Sequence, residues 1–337
     1  MPVDEAAVER FTVRAYRDGD ERAILDLFAR CFPHAPRSLG HFDWKYRRDP
    51  FGDRHISLTF DEREALVGHY SGYVVPFFGQ DRDVPAHQIG DTMTDPGVRH
   101  IGRGATSILG RTALHFYEHF CEGKIGFNYG FNVANIQRFS LRFLRSDRVE
   151  PVAFRVRDLH AKPLARIGAI ERRLRGYGLE IVRATTPEWD ELFDRVKHQY
   201  RFLVRRDGRY VSWRYLECPD TDYVVIAVRK WRRLTGWIVF RIDDKRFLWG
   251  DALFDPAAPG AVEVMLRHVV PAYPVDRIEG WFPARPQWWD AILSRLHFEK
   301  RAEPQDLSVM CVPFTWADAV ERIREDLYYT WGDSDLF

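Results

Sequence analysis

Apolar positions in this chain follow two periods, and the switches between them mark out its elements. Phe11-Thr12-Val13-Arg14-Ala15-Tyr16 alternates and predicts a first strand. Asp18-Gly19-Asp20 is a helix start, and helical spacing follows over Glu21 to Phe32. A second helix is predicted over Phe42 to Arg48, ending before Pro50. His55 to Phe60 and Ala65 to Phe78 read as a hairpin about Asp61-Glu62-Arg63-Glu64. His87 to Thr94 is the next strand. A glycine-bearing turn, a helix over Thr106 to Phe120 and a strand over Lys124 to Phe131 follow. A helix over Asn132 to Leu144 and a strand over Val149 to Val156 complete the order β-α-α-β-β-β-α-β-α-β. Residues 158–176 read as a connector, with Lys162-Pro163 and then a basic helix over Ala165 to Arg175.

Beyond the connector the pattern restarts. Trp44-Lys45-Tyr46 with Pro50 is matched by Trp213-Arg214-Tyr215 with Pro219, at an offset of 169. Gly68 is matched by Gly236, at an offset of 168. Gly90-Asp91 with Asp95-Pro96 is matched by Gly250-Asp251 with Asp255-Pro256, at an offset of 160. Three matches in one order with a slowly drifting offset indicate an internal duplication.

Between the strand ending at Thr94 and the helix after Thr106 lies Asp95-Pro96-Gly97-Val98-Arg99-His100-Ile101-Gly102-Arg103-Gly104-Ala105. Two glycines here let backbone N–H groups crowd round an anion, and the helix behind them adds a positive dipole end. Such a loop suits pyrophosphate. Arg99, Gly102 and Gly104 stand as R-x-x-G-x-G after a D-P-x-V-R turn, which resembles the acyl-CoA loop of the GNAT (Gcn5-related N-acetyltransferase) superfamily. The element order is that of the same fold. The resemblance implies an α/β protein (α+β, mixed sheet) of two tandem GNAT-like modules, each a mixed central sheet flanked by helices. They would span residues 1–157 and 177–337, with 158–176 between. In the second module the loop reads Ala257-Ala258-Pro259-Gly260-Ala261-Val262, with one glycine, no basic side chain and a proline that removes a donor. That copy is expected to have lost CoA binding.

By the same resemblance, the strands either side of the loop splay apart and hold the acyl-pantetheine. Thr94 to Val98 would line it, and Arg99, His100, Ile101, Gly102, Arg103, Gly104 and Ala105 would hold the phosphates. Asn132 stands where the family has an Asn on the pantetheine arm, although Asn132 and Asn135 also suit helix capping. The family's acid, a Tyr, falls on Phe139, which donates no proton, so the position is left to line the cofactor; Tyr129 and solvent are the substitutes. Amine acylation needs a base. Asp91 is the carboxylate on the strand before the loop, but its twin Asp251 leaves a structural role equally open; His87 lies at the strand's start. The C-terminal segment Tyr328-Tyr329-Thr330-Trp331-Gly332-Asp333-Ser334-Asp335-Leu336-Phe337 offers other carboxylates. A tandem-GNAT aminoglycoside acetyltransferase family brings its terminal carboxylate into the active site, and this chain is similar in ending on Phe. Asp333, Asp335 and the Phe337 carboxylate are therefore candidate bases.

Composition narrows the partners. Formal net charge is +1 over 337 residues, and only seven of the 50 basic residues are Lys. No global field favours nucleic acid or a membrane. The cysteines Cys31, Cys121, Cys218 and Cys311 lie far apart, which suggests neither a metal site nor a disulfide framework. The start, Met1 to Arg10, is acidic and mixed, unlike a signal peptide, so a cytoplasmic protein is expected. The expected activity is transfer of an acyl group from acyl-CoA, acetyl-CoA or longer, to a small amine by direct attack on the thioester. Phe77, Phe78, Phe127, Tyr129 and Phe131 would admit a larger acyl group. The alternatives are an acyl carrier protein as donor, a Fem-type aminoacyl donor, or a non-catalytic acyl-CoA sensor.

Overall fold

The computed structural model describes residues 10–79 and 82–337; the acidic start up to residue 9 lies outside them. The first half of the chain runs β1 Thr12–Ala15, α1 Glu21–Cys31, α2 Leu39–Phe42, β2 His55–Phe60, β3 Leu66–Gly79, β4 Arg82–Thr94, α3 Ile108–Phe116, β5 Phe127–Asn132, α4 Ala134–Phe143 and β6 Asp147–Pro151. Helix α2 continues as a π-helical turn, Asp43–Arg47, and α3 as another, Tyr117–Cys121. The second half runs β7 Phe154–Asp158, α5 Ala169–Leu174, β8 Tyr177–Ile181, α6 Glu188–Tyr200, β9 Phe202–Val204, α7 Gly208–Val211 with its π-turn Ser212–Leu216, β10 Val224–Lys230, β11 Arg233–Asp243 and β12 Arg246–Phe254. It ends with α8 Gly260–Val269, β13 Arg277–Trp281, α9 Gln287–Arg295, β14 Glu299–Arg301, β15 Ser308–Pro313, α10 Ala319–Asp326 and β16 Leu327–Tyr328.

Two compact units result. The first holds residues 1–76, 84–150 and 307–324; the second holds 77–83, 151–306 and 325–337. The sheet of the first is ordered β1-β2-β3-β4-β5-β15-β6, and that of the second β14-β7-β13-β12-β11-β10-β8. Off the path of the first order, β9 pairs with β16 and with Phe77–Gly79 of β3. Read from β8 backwards, the second order repeats the first strand for strand. The strands are not shared out at residues 157 and 177: β15, late in the chain, joins β5, and β7, which straddles residue 157, joins β13. The expected single strand Val149–Val156 is likewise two strands. Pro151 has no N–H to continue a ladder, and β6 and β7 part there into different sheets.

Local chemistry places the helices. Ile24, Leu27 and Phe28 of α1 are buried against Ile56, Leu58, Leu66 and Met93 of the sheet. Each such burial contributes about 1.5–3 kcal/mol. Asp20 does not cap α1 with its side chain; its carboxylate binds Arg14 at 2.7 Å instead. Helix α2 starts earlier than its apolar spacing predicts, because the Ser38 hydroxyl accepts from His41 N at 3.1 Å.

The duplication reaches individual hydrogen bonds. Arg30 Nε binds Asp95 at 2.7 Å and its NH2 binds Leu66 O; Arg195 Nε binds Asp255 at 2.9 Å and its NH2 binds Leu234 O. Tyr46 donates to Asp91 at 2.7 Å, and Tyr215 donates to Asp251 at 2.6 Å. Both tyrosines sit in π-helical turns.

Candidate active site

In the first unit β4 and β5 run parallel but pair only through Ala86↔Phe127, His87↔Asn128 and Gln88↔Tyr129. Beyond Gln88 the ladder stops, and β4 continues to Thr94. A pocket of about 30 Å³ opens there, lined by Ile89 of β4, by Tyr129, Gly130 and Asn132 of β5, and by Tyr70, Tyr117 and Ser140 among others. That is room for one or two water-sized groups.

The glycine loop follows β4 directly. Gly102 and Gly104 have φ of +70° and +56°, in the left-handed region. A Cβ on Gly102 would overlap the backbone of Thr106, and one on Gly104 would meet the Phe143 ring at 2.5 Å. Ser107 caps α3, accepting from Gly110 N at 3.1 Å. Among the described residues, the N–H groups of Gly102, Gly104 and Ala105 find no acceptor within the chain. Three unpaired donors at a helix N-terminus form a cradle for an anion. Val98 and Ile101 are half-buried and pack on Phe11, Val67 and Ile108, which fixes the loop. Arg99 Nε holds the carbonyl of Thr94 at 3.0 Å, which ties the loop to the end of β4. His100 and Arg103 are exposed.

Asn132 does not cap α4, whose first turn has no side-chain cap; it lines the pocket. Asn135 is exposed and accepts from Arg138. Phe139 packs on Phe143 with ring centroids 5.4 Å apart and belongs to the core. His87 is buried, bonded to His55 at 2.6 Å and to Asn128 at 3.0 Å. Burial, with His55 beside it, lowers its pKa to about 3, so it stays neutral.

The carboxylates proposed as bases are engaged elsewhere. Asp91 receives Lys45 Nζ at 2.8 Å and Tyr46 OH at 2.7 Å. Burial opposes its ionisation, yet Lys45 and His41 hold it well below the usual carboxylate range. A carboxylate so stabilised is a poor proton acceptor near neutral pH, and its φ of +48° fits a backbone role instead. In the second unit Asp333 is buried, ion-paired with Arg206, which also binds Asp251 at 2.9 Å. The Phe337 carboxylate accepts from Tyr223 OH, and the Phe337 ring stacks on Tyr223 at 5.0 Å. Asp335, the third tail candidate, is half-buried in the same unit.

The tail lies on β12 and β13 beyond their last pair, Trp249↔Gly280. Trp331 stacks on Trp281 at 5.2 Å, and a Cβ on Gly250 would overlap the Phe337 ring. The parting strands of the second module are therefore filled by the chain's own end.

Burial raises the Asp333 pKa to about 6, with Asp251 adding to the rise and Arg206 opposing it. The folded value lies above the unfolded one of about 4. The associated stability is thus full below about pH 4 and is lost as pH rises through the folded pKa. Asp333→Asn is expected to flatten this part of the stability curve. Denaturant titrations across that range test it; a variant curve parallel to the wild-type one would exclude Asp333 as the titrating group.

Sequence reasoning missed the hydroxyl pair in the pocket. Tyr70 and Tyr117 OH lie 3.2 Å apart, both buried. Burial raises the Tyr117 pKa, with its hydrogen bond to Tyr70 opposing, so its hydroxyl stays protonated. Among the described residues no cluster of His, Cys, Asp and Glu is arranged to hold a metal ion, and no helix is long and apolar enough to cross a membrane.

Residues 12–140 match the acetyltransferase (GNAT) domain family. Comparison with curated proteins finds no match. Among solved structures, a conserved Enterococcus faecalis V583 protein of unknown function, described as a probable N-acyltransferase, aligns with TM-score 0.64 and 12% identity, over 90% of this chain and 71% of its own. A GCN5-related N-acetyltransferase from Anabaena variabilis aligns with TM-score 0.62 and 13% identity, over 90% and 72%. Saccharomyces cerevisiae N-myristoyltransferase with bound myristoyl-CoA aligns with TM-score 0.57 and 11% identity, over 90% and 79%.

Proposed function

Residues 12–140 being an acetyltransferase domain of the GNAT superfamily, the chain is an acyltransferase, and we propose that it carries an acyl group from acyl-CoA to the amine of a small molecule. The observation that carries this reading is the parting of β4 and β5 immediately before the glycine loop, with a pocket in the opening. The unpaired N–H groups of Gly102, Gly104 and Ala105 would receive the pyrophosphate. The pantetheine arm would lie against Ile89 to Thr94, with Asn132 opposite. The neutral amine nitrogen attacks the thioester carbon, the C–S bond breaks, the proton released by nitrogen passes to solvent, which returns one to the donor hydroxyl, and negative charge gathers on sulfur. With Phe139 at the family's Tyr position, Tyr117, one of the hydroxyls lining the pocket beside Tyr70 and Tyr129, would donate to that sulfur. The Tyr70 hydroxyl, 3.2 Å away, would share a proton with Tyr117.

Calorimetry with acetyl-CoA, followed by a turnover assay on a panel of primary amines, tests the reading. One equivalent of acyl-CoA per chain is expected, since the tail fills the second module's opening. No binding would overturn the reading; binding without transfer to any amine would leave a sensor in its place. Tyr117→Phe is expected to lower kcat by about a hundredfold with acyl-CoA affinity unchanged. Unaltered kcat in that variant would remove Tyr117 from the chemistry.

A further inference from the structure

Among the described residues, the large apolar side chains left most exposed are Leu174 at 78%, Ile170 at 77% and Trp231 at 71%. All three lie in the second unit and come together. Ile170 and Leu174 are one helical turn apart on α5. Two residues past Leu174, Gly176 accepts from Trp231 N at 2.8 Å, and a Cβ on Gly176 would meet the indole at 2.5 Å. The indole therefore lies flat over Gly176, beside the end of α5.

Trp231 occupies a position that its neighbourhood does not favour. It and Arg232 form the two-residue turn between β10 and β11, closed by the Lys230↔Arg233 pair. Their φ values are +50° and +73°. A turn with both central residues left-handed selects Asn-Gly, and a bulky residue there is strained. Trp231 neither relieves that strain nor is buried.

The surround is cationic. Arg173, Arg232 and Arg233 are exposed, and no carboxylate among the described residues pairs with them. The nearby acids are already taken: Glu171 by Arg175 and Arg267, and Glu180 by Arg229. In a chain of net charge +1 this is a local concentration of positive charge. A second copy docking face to face would bring like charges together, which disfavours self-association. Protruding apolar side chains with Trp among them, ringed by unpaired Arg, match a lipid–water interface with anionic headgroups.

We propose that α5 and the β10–β11 turn form a docking surface for an anionic membrane. Trp231, Leu174 and Ile170 enter the headgroup boundary, and Arg173, Arg232 and Arg233 meet the phosphates. This departs from the expectation, drawn from net charge alone, that no membrane partner exists. It is independent of the acyl-transfer reading.

The test is co-sedimentation of the full chain with phosphatidylcholine vesicles, with and without about 30% phosphatidylglycerol. Binding is expected only with the anionic lipid, and is expected to weaken several-fold when NaCl rises from about 0.1 M to about 0.5 M. Trp231→Asn suits the turn, so it keeps the fold, and is expected to weaken vesicle binding about tenfold. Arg173→Gln with Arg233→Gln is expected to remove the preference for anionic lipid. Absence of wild-type binding to the anionic vesicles would overturn the proposal, as would unchanged binding by Trp231→Asn. Concentration-dependent dimerisation abolished by Trp231→Asn would assign the surface to a second copy instead.

Discussion

Gly104→Val is expected to reduce acyl-CoA affinity by at least about a hundredfold, or ~3 kcal/mol. Two effects act together. The residue sits at φ +56°, where a β-branched side chain is strained by about 1–2 kcal/mol. Its Cβ would also press on the Phe143 ring from 2.5 Å, so either the loop or α4 must move. Moving the loop turns away the N–H groups of Gly104 and Ala105, which are the proposed phosphate donors. The frame should survive, because Val98 and Ile101 anchor the loop on Phe11, Val67 and Ile108. Stability is therefore expected to fall by only about 1–3 kcal/mol. Gly97→Ala is the control. Its φ is not in the left-handed region, and its Cβ meets only the Asp95 carboxylate, at 3.2 Å. Calorimetry with acetyl-CoA separates the outcomes. Affinity in Gly104→Val within about threefold of wild type would show that the loop does not bind the cofactor.

The sequence carried the order of elements in the first half and the loop between β4 and α3, because these depend on local signals: alternation, helical spacing, and glycine where φ is positive. It carried the duplication too, since Trp-Lys-Tyr with Gly-Asp in one half answers Trp-Arg-Tyr with Gly-Asp in the other. A tyrosine and an aspartate that repeat together are a hint that they touch, and Tyr46–Asp91 and Tyr215–Asp251 do so through the same hydrogen bond. Asp91 is thereby a positioning group for the π-helical turn, not a free base. Strand exchange was not legible. Whether β15 pairs with β5 or with β13 depends on partners 180 residues away, and both edges present the same backbone. Tyr117 was hidden for a different reason. It opens a π-helical turn, where the 3.6-residue period that identifies the facing side of a helix no longer applies.

Deleting Gly332 to Phe337 is expected to destabilise the second unit, and to lower activity through unfolding more than through loss of a base. The segment is built into that unit. Asp333 is the ion-pair partner of Arg206, a fully buried guanidinium that shares its charge between Asp333 and Asp251. Arg214, also buried, donates to Gly332 O at 3.3 Å and Ser334 O at 2.8 Å. Truncation leaves Arg206 with one carboxylate, leaves Arg214 without these acceptors, and removes the Phe337 ring from Trp331, Tyr223 and the cleft at Gly250. Removing one partner of a buried ion pair costs about 3–5 kcal/mol. At about 2–4 °C per kcal/mol for a domain of this size, the melting transition should fall by roughly 10 °C. Two readouts distinguish this from catalysis by the tail. Turnover measured well below the new transition should stay near wild type, and Asp333→Asn, which keeps the segment in place, should retain activity. A truncated chain that melts like the wild type but has lost turnover would return the tail carboxylates to the acid–base chemistry.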